Sequence, residues 1–148
     1  MTNLLAVMFC LLDSSFWRAK DISSWADNVI LKLNNPKLWI VNLSLVQTSD
    51  QALQIIREAL KEFFVILPEV TSELLVGFTI LRFERGEISK ESMRQVIWEI
   101  IDSYGEADSS LTSIEEADYS SCKRKALDAL RLVEGCTDIK NFNALLMN

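Results

Sequence analysis

The sequence predicts an all-α fold: one domain over residues 1–148, a bundle of about seven to eight helices around two central, nearly all-apolar segments. Three observations carry this. Only four glycines and two prolines occur in 148 residues, whereas a β-sandwich or barrel needs turn residues roughly every ten positions. Apolar residues make up 49% and charged residues 24%, the balance of a folded chain with a full core. Apolar positions recur at spacings of three and four, the period of a helix face.

The elements follow in order. Leu4 to Leu12 is an apolar run of nine residues, against about twenty needed to cross a bilayer. No Lys or Arg precedes it and no small-x-small site follows it. It is therefore expected as a core helix over about 3–17 rather than a signal peptide, and the cytoplasm as the compartment. A second helix, about 22–34, has Ile22, Trp25, Ala26, Val29, Ile30 and Leu33 on one face. Residues 36–47 read as a short helix with Asn35 as N-cap and Pro36 at its first position. Leu38, Trp39, Ile40, Val41, Leu43, Leu45 and Val46 point nearly all round it, so it is expected at the centre of the bundle. The competing reading is a buried strand, for which no partner strand is visible.

Thr48, Ser49 and Asp50 cap a fourth helix, about 50–66, with Leu53, Ile56, Leu60, Phe63, Phe64 and Leu67 turned inward. Pro68 ends it. The fifth, about 72–85, is apolar nearly all round and is the second central segment. Gly77 in its middle costs about 1 kcal/mol relative to Ala, which a close helix crossing offsets; Gly86 ends it. The sixth, 89–104, has Met93, Val96, Ile97, Ile100, Ile101 and Tyr104 as its stripe. The seventh, about 114–134, has Tyr119, Cys122, Ala126, Ala129, Leu130 and Val133, small residues suited to tight packing. A short helix over 138–147 closes the series.

The residues exclude much chemistry. Histidine is absent, which removes the commonest general base and metal ligand and all Ser–His and Cys–His pairs. Three cysteines, Cys10, Cys122 and Cys136, lie far apart without a CxxC; they form neither a disulfide framework nor a zinc site. No phosphate-binding glycine loop, HExxH or calcium-loop pattern occurs. The expectation is a non-enzyme without cofactor or metal. A carboxylate and magnesium hydrolase is the enzymatic alternative, since acid pairs such as Glu99 and Asp102 arise among 21 acids; on a polar helix face they read first as solvated surface. Net charge is −6, which disfavours nucleic acid. The basic cluster Lys123, Arg124, Lys125 and Arg131 is expected to neutralise nearby acids.

Two features stand above this background. Between Arg94 and Lys123 lie 28 residues with seven acids and no base: Glu99, Asp102, Glu106, Asp108, Glu115, Glu116 and Asp118. A one-sign surface keeps a protein soluble, the simpler reading, or steers a basic partner. Trp98 lies off the apolar stripe of its helix among Glu91, Arg94 and Asp102. Boundary packing is the first expectation and an exposed anchor the second. Because Trp98 and the acids share one helix, Trp98, Glu99, Asp102, Glu106, Asp108, Glu115 and Glu116 form the candidate partner-binding surface. Trp17, Trp25 and Trp39 have core explanations. The alternative is a structural or self-assembling adaptor joined through Phe9, Phe16 and Trp17.

Residues 24–46, "SWADNVILKLNNPKLWIVNLSLV", and 86–101, "GEISKESMRQVIWEII", resemble small all-helical bacterial immunity-type proteins of polymorphic toxin and contact-dependent inhibition systems, or the uncharacterised domain families close to them. The shared pattern is a Trp-containing helix, an Asn–Pro turn and a W-I-x-x-L-S helix, over about half the chain. The resemblance implies a cytoplasmic protein that binds and blocks a toxin domain, with no catalytic motif to carry over. An acidic face suits that role, because nuclease toxins have basic substrate clefts.

Overall fold

A computed structural model describes residues 3–67, 71–104 and 119–135. These form seven helices and no strand: α1 (Leu4–Asp13), α2 (Ala19–Lys32), α3 (Leu38–Ser44), α4 (Ser49–Glu62), α5 (Thr71–Glu84), α6 (Lys90–Tyr104) and α7 (Tyr119–Gly135). The helix expected over 138–147 and the start of the seventh lie outside the described residues.

Two segments are central, as expected, but one is not where the sequence placed it. In α1 every residue from Leu4 to Leu12 is buried, and in α5 every residue from Leu74 to Leu81. These two helices pack side by side. Helices α2, α3 and α4 pack among themselves, with α4 against α1; α6 packs on α5, and α7 lies against both central helices. Residues 36–47, expected at the centre, lie at the periphery. α3 buries only Trp39, Ile40 and Leu43, and leaves Leu38 and Leu45 more than 70% exposed. The helix also starts later than expected. Lys37, not Asn35, is its N-cap, extended and without a side-chain cap. From there its ammonium lies 4.4 Å from the centre of the Phe63 ring, a contact with α4 that local capping signals do not encode.

Elsewhere the caps follow local chemistry. Asn3 accepts the Leu5 N–H at 2.8 Å. Thr48 and Gln51 form a reciprocal capping box at the start of α4. Gly86, at φ +75°, closes α5 with paired bonds from Gly86 N to Phe83 O and from Glu87 N to Arg82 O, the Schellman geometry.

The crossing of α5 and α7 is set by Gly77. A Cβ built there would stand 2.2 Å from the Cys122 carbonyl oxygen and 2.7 Å from Ala126 Cβ, so backbone meets backbone at this point. Lys123 and Lys125 bracket the crossing. Lys123 Nζ donates to Glu84 at 2.7 Å and Lys125 to Glu73. The basic cluster thus pairs in part with acids of α5, and Arg131 pairs with Asp128 of its own helix at 3.5 Å.

Candidate functional site

The partner surface proposed from sequence begins on α6. That helix buries Met93 and Ile97 against Val76, Ile80 and Cys122 in a small cluster apart from the main core. A helix held by one stripe turns the opposite flank to solvent. Trp98 lies on that flank with 71% of its surface exposed. It is therefore not the boundary residue that was the first expectation. Ile100 and Ile101 pack partly against the same cluster, and Trp98 lies beyond that stripe. Glu99 and Asp102 of the same helix are also exposed, and Gln95 Nε2 donates to Glu99 at 3.2 Å. All three are exposed on one helix, with Asp102 one turn on from Trp98 and Glu99 on the side that faces α1 and α5. Glu106, Asp108, Glu115 and Glu116 lie outside the described residues.

Glu99 also looks into an open cleft of about 530 Å³ where α1 ends against α5 and α6, lined among others by Asp13, Ser14, Thr79 and Ser103. Desolvation at the helix end pushes the Asp13 carboxyl up, and Arg57 pulls it part of the way back. The hydroxyls of Ser14 and Thr79 donate to their own backbone, to Leu11 O at 3.3 Å and Leu75 O at 2.7 Å. Their hydroxyl protons are thus committed to backbone acceptors. Among the described residues, no three Cys, Asp or Glu side chains gather closely enough to hold a metal ion. No described helix is long and apolar enough to cross a membrane.

The self-assembly contact proposed through Phe9, Phe16 and Trp17 is not a surface. Phe9 and Phe16 are buried in the core, Phe16 against the Phe78 ring at 5.2 Å, and Trp17 is half buried. The bend after Asp13 folds Phe16 back beneath α5, which a continuous helix to residue 17 would not do.

Sequence reasoning missed a second exposed apolar site. Phe64 was expected inward on α4; it is 91% exposed, and Ile66 is 89% exposed. The helix ends at Glu62. Phe64 then takes φ +53°, with bonds from Phe64 N to Lys61 O and from Val65 N to Leu60 O. This is the termination that Gly86 makes for α5, here without glycine, at a cost of about 1–2 kcal/mol for an L side chain. Beneath Phe64 and Ile66 runs an open groove of about 630 Å³, floored by Phe9 and Leu60 and edged by Arg57 and Lys61. Pro68 was the one hint that the chain leaves the helix early. Nothing in the apolar spacing separates Phe64 from Phe63.

No family model, curated protein or solved structure matches this chain.

Proposed function

We propose that this chain is a non-catalytic protein-binding domain whose partner docks on the exposed flank of α6. The observation that supports it is Trp98, 71% exposed on the helix that also exposes Glu99 and Asp102. A tryptophan in water gains nothing for the fold, and it is the residue type that anchors interfaces most effectively once covered. Carboxylates around it favour a basic partner and speed its approach. Glu106, Asp108, Glu115 and Glu116, which the sequence assigns to the same surface, lie outside the described residues. The partner class that the resemblance to immunity-type proteins suggests is a toxin domain, neutralised when the acidic surface occupies its basic cleft in place of an anionic substrate.

The test is association kinetics with the partner at two ionic strengths. Replacing Asp102→Lys together with Glu106→Lys is expected to slow association at least tenfold at low salt, and less at high salt where screening already weakens steering. An unchanged rate at low salt would contradict the assignment of this surface.

A further inference from the structure

We infer that the groove at the end of α4 is a second docking site, and that its occupant is a short amphipathic segment of another protein carrying carboxylates beside its apolar side chains. The inference does not depend on the Trp98 surface. It rests first on Phe64. This residue holds a left-handed backbone conformation that glycine or asparagine would adopt without comparable strain, and its ring is almost wholly in water. Neither the fold nor the solvent benefits from a phenylalanine there. A partner that covers the ring benefits, as it does from Ile66 beside it.

The second ground is charge. The groove itself is apolar, from Phe9 and Leu60 on its floor to Phe64 and Ile66 at its lip, and the charged residues that edge it are Arg57 and Lys61. Lys61 has no ion-pair partner among the described residues. Arg57 lies 5.9 Å from the Phe9 ring centre, which holds its guanidinium at the groove; its charge also acts on Asp13, so Lys61 is the edge cation left to an occupant. An occupant must therefore be apolar where it meets the floor and anionic where it meets the edge. The groove is open along its length, with a volume of about 630 Å³, the form that admits a chain segment rather than an enclosed small molecule. A membrane surface fits less well. The chain carries a net charge of −6 and is repelled by anionic lipid. Exposed Glu58 and Glu62 interrupt any broad positive face on α4. The site also lies away from α6, because α4 packs on α1 and α6 on α5.

The test is selection of a random twelve-residue peptide library, displayed on phage, against the immobilised full chain at low salt. Selected peptides are then labelled and titrated by fluorescence anisotropy. The expected result is enrichment of sequences that place Asp or Glu next to large apolar residues. Their binding should weaken at least tenfold in Phe64→Asn and in Lys61→Glu, and stay unchanged in Trp98→Ser. Asparagine tolerates the left-handed conformation, so Phe64→Asn retains its fold and loss of binding reports the ring; circular dichroism checks this. Any of four results would overturn the proposal: no enrichment, enrichment of basic or uncharged sequences only, binding indifferent to both groove variants, or binding of phosphatidylserine–phosphatidylcholine vesicles through Phe64 with no peptide bound. The Trp98→Ser control keeps the two surfaces separable, since peptides lost only in that variant belong to α6.

Discussion

Two indoles show how differently one residue type is treated by its surroundings. Trp25 is buried and donates its Nε1–H to the Val133 carbonyl at 3.2 Å, tying α2 to α7. Trp39 is equally buried, and its Nε1 has no acceptor among the described residues. A buried donor without a partner costs about 1–3 kcal/mol. Trp39→Phe removes the donor and keeps most of the packing, so its stability to urea should equal or exceed that of the wild type. Trp39→Ala opens a cavity and should lose about 3–5 kcal/mol. A large loss in both would mean that the indole N–H is satisfied after all. Cys10 is a second buried group with a measurable consequence. Burial in α1, reinforced by the nearby Asp13 carboxylate, pushes its thiol up from 9.0 to about 12. The unfolded chain therefore ionises first as pH rises. The stability due to the neutral thiol is whole below pH 9 and falls away between about 9 and about 12. Wild type should lose up to about 1.4 kcal/mol more per pH unit than Cys10→Ala above pH 9, read from urea midpoints. Parallel pH profiles would contradict the burial.

Among the elements, the α5–α7 crossing is the most constrained contact. In an isolated helix Gly77→Ala would be favourable by about 1 kcal/mol. Here the new Cβ meets the Cys122 carbonyl at 2.2 Å, and backbone cannot yield as a flexible side chain can. The variant should be destabilised by about 1–3 kcal/mol or more, as a shift in the urea midpoint. A neutral or stabilising effect would place the helices farther apart than described. This crossing was legible in the sequence, because a glycine inside an apolar helix and a stripe of small residues on another are complementary signals. The centrality of α5, the core role of Leu4 to Leu12 and a cap for α4 within Thr48 to Asp50 were legible for the same kind of local reason; the reciprocal bond from Gln51 was not read. The position of α3 was not. Its apolar count is that of a central helix, but Leu38 and Leu45 face water, and only tertiary placement decides which side of a short helix is covered. The ring of Phe64 was misplaced because the helix stops two residues before it, a choice made by bonds from Phe64 and Val65 rather than by apolar spacing.

Taken whole, the molecule puts its two central helices between α6, which packs on α5, and α4, which packs on α1 and edges the apolar groove. α6 carries Trp98, Glu99 and Asp102 on the α5 side of the centre, and α4 carries Arg57 and Lys61 on the α1 side. The run of seven acids without a base is plain in the sequence, and of these acids Glu99 and Asp102 lie among the described residues, both exposed. The exposure of Trp98 was not legible, because a helical wheel shows that a residue leaves the stripe and not whether a neighbouring helix covers it. The central claim is that this tryptophan serves a partner and not the fold. Affinity capture from native cell lysate, wild type against Trp98→Ser with both checked by urea unfolding, tests it most directly. The account predicts equal stability within about 0.5 kcal/mol and one protein held by the wild type and lost by the variant. A variant that unfolds much earlier than wild type, or one that captures the same protein equally well, would contradict it.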